Sequence, residues 1–200
     1  MFLSKLRNKK EVISWSLYDF ANQPFTTIIV TFVYGAFFTS IIASDENTGT
    51  LLWTWGIAST AIIVSILSPI LGALADKGGY RKFFLIFFTW ICAIFSVLLY
   101  FPNAGDVYLA LILFVVANIA FEMGSVFCNS YLQDLSKNSN IGKISGFAWG
   151  IGFVGGLIAM FLSLFFVVQP ESPILGLSRS SSSNHIQLNV DYVDGNRIYV

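Results

Sequence analysis

The side chains able to do chemistry sit where hydropathy says lipid should be. Asp19, Asn22 and Gln23 lie in the stretch Trp15-Ser-Leu-Tyr-Asp-Phe-Ala-Asn-Gln-Pro24. Asp19 to Asn22 is i,i+3 and Asp19 to Gln23 is i,i+4, so on a helix the three share a face. That face lines a water-filled cavity, where the carboxylate meets a solute amine or a coupling proton, or it rests in the polar interface. Asn118, Glu122, Ser125 and Asn129 are spaced 4, 3 and 4 in an otherwise apolar run, which makes one polar stripe on a helix. At ~1.5 Å per residue Glu122 lies far from both ends of that run. An unpaired carboxylate there costs about 2.5 kcal/mol or more. Glu122 must therefore be protonated, hydrogen-bonded to an amide such as Asn118, or in contact with water. No P-loop, metal-ligand set or nucleophile–base pattern occurs. Cys92 and Cys128 read as buried thiols, and His185 has no Cys or His neighbour. No cofactor and no enzymatic reaction are expected.

The elements that must hold these residues are membrane helices. The chain is 56% hydrophobic and 11% charged, against about 25% charged in a soluble domain. Lys plus Arg and Asp plus Glu are 11 each, so the net charge is zero and no basic field invites nucleic acid. The expected class is all-α and integral to the membrane. A basic N-terminus, 1–12, precedes a five-helix domain, 13–168, and a tail follows at 169–200. A span needs about 20 apolar residues. The expected spans are Ile13–Ala43, Leu51–Ala75, Phe83–Phe101, Val107–Tyr131 and Ile144–Val168. Pro24 should disturb the first. The third, without charge, amide or glycine, reads as lipid-facing, and the phenylalanines in general as lipid-facing bulk. The fifth carries Gly146-x-x-x-Gly150 and Gly152-x-x-x-Gly156, spacings that let another helix come close. In the tail, alternating residues from Ile186 and an Asp194-Gly195 pair read as a β-hairpin.

Before Pro170 the basic residues are Lys5, Arg7, Lys9, Lys10, Lys77, Arg81, Lys82, Lys137 and Lys143. With five crossings, all fall on one side of the bilayer. The excess of Lys and Arg in cytoplasmic loops makes that side, and the N-terminus, cytoplasmic. The compact loops favour a bacterial inner membrane over a vacuolar one.

The connection between the second and third spans, Gly72-Ala-Leu-Ala-Asp76-Lys77-Gly-Gly79-Tyr-Arg81-Lys82, resembles the loop signature of the major facilitator superfamily. Lys77 replaces the usual Arg, and Tyr80 stands where a basic residue is common. Trp15-Ser-Leu-Tyr-Asp19-Phe-Ala-Asn22 is similar to the opening of that superfamily's autophagy-related vacuole effluxer branch. Residues 121–132 and 145–156 also resemble that branch. The resemblance implies a secondary transporter of small solutes, amino acids among them, with twelve helices in two halves and the solute held between them. It implies a cavity on the first and fourth spans and a gating role for the loop of Gly72, Asp76, Lys77, Gly79, Arg81 and Lys82. It also implies that the glycines of the fifth span pack against the second half. Five spans match the front of such a protein, so a fragment with a missing C-terminal half is expected. The alternative is a non-transporting membrane scaffold or an inactive truncated product. The partners implied are the lipid bilayer, a small solute and a proton.

Overall fold

The computed structural model describes residues 9–135 and 140–168. The basic residues Lys5, Arg7 and Lys137 and the hairpin expected in the tail lie outside these. Among the described residues there are five long apolar helices and no strand: the chain is an all-α membrane protein. Helix 1 is Lys9–Ile42, helix 2 Glu46–Gly78, helix 3 Arg81–Leu98 and helix 4 Val107–Leu135. Helix 5 is Ile141–Ser163, followed by a π-wound turn, Leu164–Val168. Residues up to Ala159 belong to one compact unit, and the packing below is that of this unit.

Helix 1 changes its winding at the proline. Lys9–Pro24 is α-helical, and the next eight residues, Phe25–Phe32, are wound as a π-helix. Proline lacks the N–H that would continue the ladder, and widening is one way a membrane helix re-satisfies its backbone. Further along, the Val30 carbonyl accepts a hydrogen bond from Trp53 Nε1 at 3.3 Å.

Helix 2 begins earlier than hydropathy suggests. The segment 44–50 reads as a loop, yet Glu46–Thr50 is helical. Asp45 caps it, accepting from Thr48 N at 2.8 Å and Thr48 Oγ1 at 2.9 Å. A side-chain oxygen here satisfies one of the amides that a helix start leaves bare. The helix ends at Gly79, with φ 68° and its N–H on the Ala75 carbonyl. Glycine reaches this left-handed conformation without steric cost. Helix 3 stops at Leu98, short of the expected Phe101, and helix 4 runs on to Leu135.

The pairing of helices follows from specific contacts. The N-terminal part of helix 1 lies beside the C-terminal part of helix 4, with Trp15 Nε1 donating to Cys128 O at 2.9 Å. At the other end Gly105 N donates to Ile42 O at 3.0 Å. Helices 1 and 4 are therefore antiparallel. Helices 1 and 5 run parallel, because Asp19 meets Gly152 while Thr27 meets Gly156. Lys9, Lys10, Lys77, Arg81, Lys82 and Lys143 consequently gather at one end of the bundle.

Helix 3 faces mostly outward, as at Phe83, Trp90 and Val97, and many phenylalanines do the same, but one stripe of the helix and several rings are packed inside. Phe88 and Cys92 of helix 3 are buried beside Phe127 of helix 4, and Phe84 stacks on Phe127 with centroids 5.1 Å apart. A second cluster joins Phe38, Ile42, Trp53, Leu99, Ala110 and Phe114. Trp53 and Phe114 stack at 3.8 Å. Ring area that could have faced lipid is used instead for dispersion contact between helices, because lipid tails offer no hydrophobic reward for burial. The outward faces remain apolar, as at Ile62, Ile66 and Ile70.

Candidate functional site

Three helices each present one face to a cavity of about 230 Å³. Helix 1 supplies Trp15, Tyr18, Asp19 and Asn22, spaced i, i+3, i+4 and i+7. Helix 4 supplies Ser125, Cys128 and Asn129, and helix 5 supplies Ser145, Ala148 and Trp149. These are the spacings of a single α-helical face, so the winding places the side chains without loop machinery. Asn22 Nδ2 donates to Ser125 Oγ at 3.3 Å, and Tyr18 shares a 2.9 Å hydrogen bond with Thr89 of helix 3. Asp19 is half-buried and is the one charged residue in the lining.

The residues singled out from sequence divide. Asp19, Asn22 and Asn129 come together at the cavity. Gln23 does not line it: its Cγ lies beside Gly156, and its carbonyl accepts from Thr27 Oγ1. Asn118 is buried in the bundle and Glu122 is exposed; neither lines the cavity. The stripe is one face of helix 4, but from Asn118 to Asn129 it extends roughly 16 Å along the axis at ~1.5 Å per residue. The cavity takes only its last turn. Trp15, Tyr18, Ser145 and Trp149 were missed as lining residues. Their signal was the i, i+3, i+4 repeat on helices 1 and 5, hidden because aromatic and small residues do not stand out in apolar runs.

The glycines of helix 5 also divide. A Cβ at Gly146 or Gly150 would meet nothing within 4 Å. At Gly152, Gly155 and Gly156 it would lie 2.5–2.7 Å from atoms of helix 1. Gly152 and Gly156 thus lie against helix 1 of the same chain, not against a second half, and Gly155 joins them.

In the connection between helices 2 and 3, Arg81 Nε pairs with Asp76 Oδ1 at 2.7 Å and Arg81 Nη1 with Asp134 Oδ2 at 3.1 Å. The planar guanidinium holds two carboxylates at once, tying the connection to the end of helix 4. Lys77 and Lys82 are exposed, and the space beside Gly72 is open. Asp134 carried no signal in sequence, since it is a single acid in a polar segment.

Comparison with known proteins places this geometry in a family. The family model described as vacuole effluxer Atg22 like matches residues 46–190. An uncharacterised MFS-type transporter, YxiO, of Bacillus subtilis (strain 168) is 29% identical over 182 residues, covering 88% of this chain and 42% of the relative. An uncharacterised protein of Aquifex aeolicus (strain VF5) is 30% identical over 168 residues, 82% of this chain and 41% of the relative. Autophagy-related protein 22 of Coccidioides immitis (strain RS) is 32% identical over 99 residues, 49% of this chain and 16% of the relative. The chain spans about two fifths of the length of these bacterial relatives and less of the fungal one. No solved structure matches it. Since the matched region takes in helices 2 to 5 and most of the chain, this multi-pass membrane protein belongs to the Atg22-like vacuole effluxer family of major facilitator transporters.

Proposed function

We propose that this chain forms the solute-handling front of a secondary active transporter that moves small solutes, amino acids among them, across a bacterial inner membrane. The observation that carries the reading is the polar cavity on helices 1, 4 and 5, with Asp19, Asn22 and Asn129 exposed to it inside an apolar bundle. Ionisable groups in membrane helices are rare and mark solute or proton pathways. Asp19 receives the solute. Glu122, exposed on helix 4, serves as the proton-coupling carboxylate, with Asn118 buried one turn before it and Gln23 against Gly156 of helix 5 as polar groups behind that surface. The remainder of the transporter, which relatives of more than twice this length carry, supplies the opposing wall. Asp76, Arg81 and Asp134 latch the end where the basic residues gather, with Gly72, Lys77, Gly79 and Lys82 shaping that loop. By the positive-inside rule this end is cytoplasmic.

The test is uptake of radiolabelled leucine, tyrosine, glutamate and lysine into vesicles from the native membrane, with and without an imposed pH gradient. D19N should abolish uptake, and E122Q should leave uptake that no longer responds to the gradient. Unchanged uptake in D19N would remove the cavity from the transport route. Unchanged pH dependence in E122Q would remove Glu122 from coupling.

A further inference from the structure

The Asp19 carboxylate rests directly on the backbone of helix 5. A Cβ at Gly152 would lie 2.7 Å from Asp19 Oδ2 and 3.2 Å from Asp19 Cγ. At the neighbouring glycines the obstructing atoms are different: the Phe20 carbonyl at Gly155 and Thr27 Oγ1 at Gly156. Gly152 is the position where the missing methyl group is replaced by the carboxylate itself. It also continues the lining face of helix 5, one turn on from Ala148 and Trp149.

The lining fixes the charge and size of an occupant. Asp19 is its one charged residue, and no Lys, Arg or His is among the lining residues. Two donors are already spent inside the protein, Trp15 Nε1 on Cys128 O and Asn22 Nδ2 on Ser125 Oγ. An anionic group would meet a carboxylate with no compensating cation. An ammonium group would meet the carboxylate, and the indoles of Trp15 and Trp149 offer faces that attract cations. A volume of about 230 Å³ is below the 300–1,000 Å³ usual for drug-sized ligands.

We propose that Gly152 is a positioning residue for the Asp19 carboxylate, and that the two together form the seat for the ammonium group of a small amine. The inference rests on reading this cavity as the solute site, and it names the end of the solute that this chain holds.

The experiment is equilibrium binding of tritiated isoamylamine to the protein in nanodiscs, with unlabelled isocaproate and isoamyl alcohol as competitors of similar shape. The wild type should bind the amine, and neither competitor should displace it. D19A should weaken binding about tenfold or more, as loss of one partner of a charge pair does. G152A should weaken it about fivefold, because the added methyl drives the carboxylate from its seat. In the D19A background the same G152A change should alter affinity by less than about twofold, since coupled residues do not add. It should also regain the melting temperature that G152A alone loses, a recovery a general packing defect would not show. Equal loss from G152A in both backgrounds overturns the positioning role, and displacement by isocaproate overturns the amine seat. Binding is read without transport. A protein that binds isoamylamine but moves no amino acid keeps this inference and loses the transport reading; one that transports but binds no amine does the reverse.

Discussion

Replacing Gly155 by alanine should destabilise the bundle, whereas the same change at Gly150 should not. A Cβ at Gly155 would lie 2.5 Å from the Phe20 carbonyl oxygen and 2.8 Å from Phe20 Cδ2. Ordinary contact begins near 3.4 Å, so the carbonyl must withdraw by roughly 0.9 Å to restore normal packing. A helix carbonyl cannot swing aside as the tip of a long side chain does; it moves only with its helix. Forced overpacking of this kind costs about 1–3 kcal/mol. Against it stands the gain from replacing glycine inside a helix, about 1 kcal/mol. G150A collects the same gain, and its Cβ meets nothing within 4 Å. The propensity gain cancels in the comparison, so the two variants should differ by the overpacking cost, about 1–3 kcal/mol. The assay is reversible unfolding of both variants and the wild type in mixed micelles, followed by circular dichroism. G155A as stable as G150A would refute the close approach of helices 1 and 5. G150A falling with G155A would show that a packed helix covers the Gly146–Gly150 face.

Three further outcomes follow from the geometry. Phe114 is fully buried against Trp53, so F114A should cost about 3 kcal/mol by leaving an unfilled space; a loss well under 1 kcal/mol would show that the two rings do not pack. The two hydrogen bonds from Thr48 hold the Asp45 carboxyl below the usual carboxylate range. Because the folded value is depressed, the cap contributes stability above the unfolded pKa of about 3.9 and loses it as pH falls through the folded value. D45N, which also caps well, should abolish that pH dependence of amide exchange in Glu46–Thr50, and its persistence in D45N would remove Asp45 as the cause. R81K should raise hydrogen exchange at the ends of helices 2 and 4, because a single ammonium cannot fork between Asp76 and Asp134; unchanged exchange would mean that the pairs hold nothing in place.

Much of the fold was legible because the bilayer leaves few choices. A chain in lipid must satisfy every backbone group within the segment, so five long apolar runs could only be five helices. Their ends were less legible. Helix 2 starts at Glu46 because Asp45 caps it, a local polar effect that hydropathy averaging hides beneath an acidic, loop-like composition. Which residues face inward was legible only where they were polar. Asp19 and Asn22 stood out, while Phe114, Phe127 and Trp53 looked no different from the rings that face outward, because core and surroundings are equally apolar. The glycine spacings misled for a related reason. Gly146-x-x-x-Gly150 and Gly152-x-x-x-Gly156 have the same spacing, but only the second faces helix 1, and spacing gives a face without saying what lies opposite.

Helix 1 shows why the site sits where it does. Trp15, Tyr18, Asp19 and Asn22 share a face only while the winding stays α-helical. The α-helical stretch ends at Pro24 and the π-wound stretch starts at Phe25, just beyond the last of the four. Had the winding widened one turn earlier, Asn22 would have rotated away from Ser125 and Asp19 away from Gly152. The irregular backbone therefore begins beyond the polar residues, at Phe25–Phe32, and recurs at Phe38–Ile42, while Trp53 takes up the Val30 carbonyl. The polar residues keep the regular half and the glycine-lined face of helix 5. Regular winding, close backbone approach and a single half-buried carboxylate meet within two turns, which is the arrangement a small site needs when no loop is available to build it.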